Sequence, residues 1–200
     1  MDAVIYIHGQ NGSASEAEHY KPLFENAHIF GVEYCGVTPW EAGEEIHRYV
    51  ADIASEYDRI ILIANSIGAY YSMCADIEKF ISRAYFISPI VDMEKLITDM
   101  MTRADVTERE LCEKGKIVTA SGDVLSWKYL CYARKNHTSW SVPTDILYAG
   151  KDSFTSRETI ASFAKEHRAS LTVMDNGEHW FHTDAQMKFL DGWIREKSDS

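Results

Sequence analysis

The chain of 200 residues is 46% hydrophobic and 26% charged, a composition typical of a soluble globular protein that can bury one sizeable core. Its net charge is −11, and residues 1–100 carry most of that charge, with 6 basic against 16 acidic side chains. Because no run of basic residues is longer than two, we expect neither a nucleic-acid partner nor binding to an anionic membrane.

The N-terminus and the cysteines bear on the cellular compartment. The first residues, MDAVIYIHG, have an acidic second position and only five consecutive apolar residues, too few for a signal peptide or a membrane span. No two cysteines have C-x-x-C spacing, so we expect four reduced thiols. Both observations favour a cytoplasmic protein. The cysteines are Cys35, Cys74, Cys112 and Cys131.

Six short apolar runs rich in Val, Ile and Tyr predict β-strands. They span residues 3–8, 28–34, 59–65, 83–88, 145–150 and 170–175. Continuous apolar runs, rather than alternating ones, are typical of strands that are covered on both faces, as in a parallel sheet. The sequence therefore predicts a buried sheet of about six parallel strands.

Amphipathic stretches between these runs predict helices. Residues 41–57 place apolar side chains at helical spacing after an acidic first turn, and residues 156–167 begin with Ser156, a suitable N-cap. A last helix is predicted over residues 183–197, with Thr183 at the N-cap position. The alternation predicts a doubly wound α/β fold of three layers, in which helices cover both faces of the sheet.

Residues 92–142 interrupt this alternation, because about 50 residues separate the fourth and fifth strands where one crossover helix needs far fewer. Within this insertion, apolar spacing predicts a helix over 93–100, a second helix ends at Gly115, and a hairpin turns at 121–123. Its aromatic residues either pack the insertion onto the domain or line a ligand pocket, and both interpretations stay open. They are Trp127, Tyr129, Tyr132 and Trp140.

Polar and small residues follow four of the predicted strands. These segments are HGQNGS (8–13), NSIG (65–68), GKDSF (150–154) and NGEHWFH (176–182). In a doubly wound sheet, ligands bind beyond the carboxyl ends of the strands. We therefore expect the functional residues to lie in these four segments.

The segment NSIG carries Ser66 at a turn that passes from strand to helix without a loop. Ala64 and Gly68, two residues before and two after the serine, are the small residues that such a crowded turn needs. The pattern A-N-S-I-G resembles the nucleophile elbow G-x-S-x-G of the α/β-hydrolase family, with Ala64 in place of the first glycine. The alternative is that Ser66 only caps the following helix.

The resemblance implies a fold and a domain organisation. The family's sheet would be shortened at the N-terminus, because the loop after the first strand already arrives at residue 8, and the expected strand order is 2-1-3-4-5-6. Residues 1–200 would form one hydrolase domain, with 92–142 as a small lid inserted after the fourth strand.

The resemblance also implies a catalytic triad, with Ser66 as nucleophile, Asp152 as acid and His179 as base, each in the loop after a strand. Two alternatives stay open: Asp92, after the fourth strand, for the acid, and His182 for the base. On the other interpretation, Asp152 only begins a turn or caps a helix, and His182 packs at the start of the last helix.

The segment HGQNG after the first strand resembles the oxyanion loop of the family. In that family, two backbone N–H groups stabilise the negative oxygen that develops on the substrate. The resemblance assigns these donors to Ile67 and Gln10, with Asn11 as the alternative to Gln10. Gly9 would let the backbone approach the substrate, and His8 would have a structural role.

These assignments predict a serine hydrolase that cleaves a small carboxylic ester or thioester through an acyl-enzyme. An amide or peptide hydrolase with the same triad, and a hydrolase-like binding protein without turnover, are the alternatives. Candidate residues of the substrate pocket are Asn65, Trp127 and Trp180. We expect no cofactor and no metal, because His179 and His182 lack the spacing of a helical zinc pair and no phosphate-binding glycine loop is present. The other histidines, expected to be exposed to solvent, are His19, His28, His47, His137 and His167.

Overall fold

The structure is a computed structural model that describes residues 1–136 and 138–198. The chain divides into two compact units. The first unit comprises Met1–Val91 and Ser139–Ser200, and the second comprises Asp92–Thr138. The second unit coincides with most of the predicted insertion, and its assignment as a lid stays a prediction.

Eight strands lie within the described residues. They are β1 (Asp2–Ile7), β2 (Ala27–Val32), β3 (Arg59–Asn65), β4 (Arg83–Ile87), β5 (Lys116–Val118), β6 (Val124–Ser126), β7 (Thr144–Ala149) and β8 (Ser170–Met174). Six strands form one parallel sheet in the order β2-β1-β3-β4-β7-β8. Because β7 and β8 are the fifth and sixth predicted strands, the expected order 2-1-3-4-5-6 is confirmed.

Helices of the first unit cover both faces of this sheet, as predicted. The helices within the described residues are α1 (Pro39–Ala54), α2 (Ile67–Cys74), α3 (Met93–Arg103), α4 (Glu108–Lys114), α5 (Trp127–Lys135), α6 (Arg157–Glu166) and α7 (Asp184–Ser198), with 3-10 helices at Ala14–Leu23 and Glu78–Phe80. Among the residues that the structure describes, no helix combines the length and the apolar character needed to cross a membrane.

Burial explains why the central strands have continuous apolar sequences. All six residues of β7 and five of the six residues of β1 are buried, whereas the edge strands β2 and β8 are partly exposed. One face of the sheet, including Tyr6 and Ile63, packs on Trp193 and Ile194 of α7. Burying a large apolar side chain stabilises a fold by about 1.5–3 kcal/mol.

Helix capping follows the sequence signals. Ser156 caps α6 by accepting the N–H of Thr159 at 3.1 Å, as predicted. Thr183 similarly accepts the N–H of Gln186 at 3.3 Å and caps α7. The 3-10 helix Ala14–Leu23 was not predicted, since it contains Pro22 and has no apolar periodicity.

The second unit contains α3, α4, the antiparallel hairpin β5–β6, and α5. The predicted hairpin and the helix end at Gly115 are confirmed: Gly122 has φ +89° in the turn, and Gly115 has φ +73° after α4. Arg134 joins three helices, because its guanidinium on α5 binds Glu94 of α3 at 2.8 Å and Glu108 of α4 at 2.6 Å. This guanidinium lowers the pKa of Glu108.

Candidate active site

Ser66 has a backbone conformation that few residues other than glycine adopt. Its φ of 52° and ψ of −121° place it between the end of β3 and the first residue of α2. Such conformations cost about 1–3 kcal/mol and persist only where neighbouring contacts hold them. Here the N–H of Ser66 donates to the Ile87 carbonyl, and its own carbonyl accepts the N–H of Ile90, both at 3.0 Å.

Small residues make room for this turn. A Cβ atom on Gly68 would lie 2.5 Å from the His8 carbonyl oxygen and 2.7 Å from that of Ile7, so only glycine fits without a shift of the backbone. At the other position, Ala64 is fully buried within β3, opposite Ile7. The departure from the glycine of the motif therefore leaves the turn intact.

Three side chains meet at the carboxyl edge of the sheet. The Nε2 atom of His179 lies 2.8 Å from Oγ of Ser66, and its Nδ1 atom lies 2.7 Å from Oδ2 of Asp152. The side chains of His179 and Asp152 are 5% and 0% exposed. Ser66 follows β3, Asp152 follows β7 and His179 follows β8. The carboxyl ends of these strands lie at the same edge because the sheet is parallel.

Backbone groups hold the Asp152 carboxylate in place. Its Oδ1 atom accepts the N–H of Phe154 at 2.7 Å and that of Thr155 at 3.2 Å, which leaves Oδ2 for His179. The Thr155 hydroxyl in turn donates to the carbonyl of Pro89 at 3.1 Å. The loop after β7 is therefore tied to the loop after β4.

The alternative acid and base have other partners. Asp92 caps α3, since its carboxylate accepts the N–H of Lys95 at 2.9 Å. The exposed His182 ring has Nδ1 at 3.1 Å from the Trp180 carbonyl and Nε2 at 3.6 Å from the Glu178 carboxylate. The structure thus brings His179, rather than His182, to Ser66.

The loop after β1 lies beside Ser66. Gly9 approaches it so closely that a Cβ on the glycine would lie 3.2 Å from Cβ of Ser66. The turn that follows contains Gln10 and Asn11 and is closed by the N–H of Gly12, which donates to the Gly9 carbonyl at 3.1 Å.

The two predicted oxyanion donors are backbone groups near this turn. Gln10 has an exposed side chain, and Asn11 has a φ of 62°. Ile67 is the first residue of α2, and a first helical N–H has no acceptor within its own helix. Donation by Ile67 and Gln10 to a substrate oxygen stays a prediction.

His8 fixes the start of this loop. Its ring is buried and stacks on Tyr34 with centroids 4.2 Å apart, and its Nδ1 atom lies 2.8 Å from the Gly9 carbonyl oxygen. The Tyr34 hydroxyl donates to the His8 carbonyl at 2.7 Å, and burial raises the pKa of this hydroxyl. These contacts agree with the structural role that the resemblance implies for His8.

The pocket candidates have different surroundings. Asn65 is the last residue of β3, directly before Ser66, and is half-buried. Trp180 is 61% exposed, and its ring stands edge-on to His179 with centroids 5.4 Å apart. Trp127 begins α5 in the second unit, where its N–H donates to the Gly115 carbonyl at 2.9 Å.

The structure places two aromatic residues, Phe154 and Trp140, where the sequence does not predict them. Phe154 was not singled out, yet its ring lies 4.7 Å from that of His179; its place two residues after Asp152 was the available signal. Trp140, counted with the insertion, is buried in the first unit, 5.4 Å from Phe86, and its Nε1–H donates to Thr144 at 2.7 Å.

The expectation of exposure was wrong for three of the remaining histidines. His19, His47 and His167 are half-buried, and their rings hydrogen-bond to Asp191, the Ala75 carbonyl and the Trp140 carbonyl. Packing between distant segments supplies these partners. His28 is exposed as expected, and His137 lies outside the described residues.

Two further observations concern metal-binding side chains and the cysteines. Within residues 1–136 and 138–198, no three His, Cys, Asp or Glu side chains are grouped so that they could hold a metal ion. The four cysteines are free thiols, as predicted.

Searches of protein-family models and of curated protein sequences find no match to this chain. Solved structures do match. Est1E from Butyrivibrio proteoclasticus is 17% identical, with a TM-score of 0.75 over 98% of this chain and 86% of that chain. A second Est1E structure, with ferulic acid bound, has a TM-score of 0.72 at 17% identity, over 99% and 88% of the two chains.

Two further proteins are similar over nearly the whole chain. Mouse alpha/beta hydrolase domain-containing protein 10 is 18% identical, with a TM-score of 0.70 over 98% of this chain and 89% of that chain. An esterase from Pyrococcus furiosus is 18% identical, with a TM-score of 0.63 over 99% and 80%. The chain therefore has the α/β-hydrolase fold, as its motifs predict.

Proposed function

We propose that this chain, an α/β-hydrolase by fold, is a serine hydrolase that cleaves a small carboxylic ester or thioester through an acyl-enzyme. One observation carries the proposal: Ser66, held in a strained backbone conformation, is hydrogen-bonded to His179, which is hydrogen-bonded to the buried Asp152. A helix cap requires neither the strain nor the histidine. The arrangement is the one that nucleophilic catalysis by serine needs.

In the acylation step, Oγ of Ser66 attacks the carbonyl carbon of the ester while Nε2 of His179 takes the hydroxyl proton. Asp152 accepts the Nδ1–H bond, keeps the imidazole in the correct tautomer and stabilises its cation. The bond to the leaving oxygen or sulfur then breaks, and His179 gives its proton to that atom. The products of this step are the acyl-enzyme and the free alcohol or thiol.

In the deacylation step, water attacks the acyl carbon and gives a proton to His179. The bond to Oγ breaks, the carboxylic acid leaves, and Ser66 recovers its proton from His179. In both steps the carbonyl oxygen becomes negative, and we assign its stabilisation to the N–H groups of Ile67 and Gln10, with Asn11 as the alternative to Gln10. Removing one such donor typically lowers kcat by about 10²–10³-fold.

The surroundings of His179 favour an apolar group on the leaving side of the substrate. Because His179 protonates the leaving oxygen, the alcohol portion lies next to its ring, where Phe154 and Trp180 present aromatic surface. The name of the Pyrococcus furiosus esterase supports an ester as the substrate class. The ferulic acid bound to Est1E is an aromatic carboxylic acid, which corresponds to the acyl part of an ester rather than to its alcohol.

Labelling with a fluorophosphonate probe tests the proposal directly. Wild-type protein should be labelled at one site per chain, and Ser66→Ala should abolish the labelling. A matched control is Ser162→Ala, which removes an exposed hydroxyl from α6 and should leave the labelling unchanged. Wild-type protein that fails to react, or Ser66→Ala protein that reacts normally, would instead favour a binding protein without turnover.

A panel of substrates with one acyl group and different leaving atoms defines the reaction class. Acetate as a phenyl ester, a thioester, an alkyl ester and an anilide should be cleaved in decreasing order, because the leaving groups become poorer in that order and the amine of the anilide is the poorest. Anilide turnover equal to that of the esters would move the assignment to an amide hydrolase.

A further inference from the structure

A series of hydrogen bonds joins Tyr6 of β1 to the loop after this strand. The Tyr6 hydroxyl donates to Oε2 of Glu16 at 2.5 Å. The other carboxylate oxygen, Oε1, accepts the N–H of Ser13 at 3.1 Å. We refer to Tyr6, Glu16 and Ser13 as the Tyr6 network. It links a buried strand of the sheet to the segment that carries Gln10, one of the proposed oxyanion donors.

Several contacts make this connection tight. The Tyr6 side chain is 2% exposed, and its ring packs against Tyr20 with centroids 5.3 Å apart. A Cβ atom on Gly12 would lie 2.7 Å from Oε1 of Glu16, so the end of the turn rests against the carboxylate. The N–H of Ala14, which follows Ser13, donates to the Glu33 carboxylate at 3.1 Å.

We infer that Tyr6 and Glu16 are positioning residues, which hold the Gly9–Gly12 turn, and with it the N–H of Gln10, in register with Ser66. This inference rests on the proposed function. Neither side chain needs to touch the substrate, because the Glu16 carboxylate acts on the backbone of Gly12 and Ser13.

The chemistry of each group sets the direction of the bonds. A phenolic hydroxyl has one proton, which Tyr6 donates to Glu16. The Glu16 carboxylate accepts at both oxygens and therefore serves Tyr6 and Ser13 together. Burial, with smaller contributions from Tyr20 and Glu16, raises the pKa of the Tyr6 hydroxyl, so it remains a donor at neutral pH.

The register of the turn matters because oxyanion donors act only over a short range. A useful donor lies about 2.7–3.1 Å from the developing oxygen, and a misplacement of about 1 Å can cost on the order of 10²-fold in rate. Loosening the turn would therefore lower kcat, whereas KM, which reflects ground-state binding, would change little.

The test measures the turn and the chemistry separately. Tyr6→Phe keeps the ring in the core but breaks the network, and Glu16→Gln keeps the size but replaces one acceptor by a donor. Each variant should exchange the amide hydrogens of residues 9–13 roughly tenfold faster than wild type. Each should lower kcat for phenyl acetate by about 10- to 100-fold with KM within about threefold. The double variant should lower kcat no further than the stronger single change.

Tyr85→Phe is the matched control, because it removes the hydroxyl from another buried tyrosine of the same core cluster. It should leave the exchange of residues 9–13 and kcat at wild-type values. Exchange of these amides in Tyr6→Phe at the wild-type rate would overturn the positioning role, whether or not the protein is an enzyme. Faster exchange with unchanged kcat would do the same. A wild-type protein inert to the fluorophosphonate would count against the proposed function alone.

Discussion

The Oγ atom of Ser66 lies 2.8 Å from the Nε2 atom of His179, although 113 positions separate the two residues in the chain. The sheet creates this proximity, because β3 and β8 are parallel and both end at its carboxyl edge. Neither residue lies near the other in the sequence, so no local pattern predicts the contact. The hydrogen bond is thus a property of the fold, and it is the relation on which the proposed chemistry depends.

We expect the two neighbouring histidines to differ sharply when substituted. His179→Ala removes the proposed base and should lower kcat for phenyl acetate by on the order of 10⁴-fold or more. His182→Ala removes an exposed ring whose partners are the Trp180 carbonyl and Glu178, so kcat should stay within about threefold of wild type. Steady-state kinetics on both variants, with circular dichroism to verify folding, measures this difference. The reverse pattern would assign the base to His182.

Replacing Gly68 by alanine should destabilise the fold, whereas the same change at Gly192 should stabilise it. In Gly68→Ala the new Cβ would meet backbone oxygens of His8 and Ile7 at 2.5 and 2.7 Å, so we expect a loss of about 1–3 kcal/mol in the free energy of unfolding. A Cβ atom on Gly192 of α7 would meet no described residue within 4 Å apart from its neighbours in the helix, and Gly192→Ala should raise that free energy by about 0.4–1 kcal/mol.

Urea denaturation of these two glycine variants measures both changes. Equal midpoints for Gly68→Ala and wild type would mean that the turn can shift without cost.

Trp180 should influence the choice of leaving group. Trp180→Ala should lower kcat/KM for benzyl acetate relative to methyl acetate by roughly 5- to 15-fold, since the indole supplies aromatic contact only to the larger alcohol. Phe189→Ala, which truncates an exposed aromatic side chain on α7, should leave the ratio of the two esters unchanged. A Trp180→Ala protein with the wild-type ratio would place the alcohol portion elsewhere.

Stability should fall at alkaline pH because of buried tyrosines. Burial raises the pKa of Tyr20 above its ordinary value of 10.0, with the nearby carboxylates of Glu16 and Asp191 adding to the shift. Below pH 10 both the folded and unfolded states keep this proton. As pH rises above 10, only the unfolded state loses it, so the free energy of unfolding decreases.

Urea midpoints at pH 8 and pH 10.5 measure this alkaline loss, and Tyr20→Phe should make it smaller. The same loss in wild type and in Tyr20→Phe would show that other groups cause it.

Much of the fold could be predicted because its signals are local. Buried parallel strands need apolar residues on both faces, and the runs at 59–65 and 145–150 show this directly. Helix caps such as Ser156 likewise act over three residues. The half-burial of His47 and His167 could not be predicted, since their carbonyl partners lie 28 and 27 positions away along the chain.

For the candidate site, the sequence by itself determined which loops come together: polar and small residues at the ends of parallel strands must meet at one edge. It also determined that the turn around Ser66 is crowded, because Ala64 and Gly68 flank it. Only the tertiary structure decided that His179 rather than His182 reaches Ser66, and that the Tyr6 hydroxyl reaches Glu16. A hydrogen bond requires its donor and acceptor to be placed to within a few tenths of an ångström, and only the packing of distant segments sets their positions that closely.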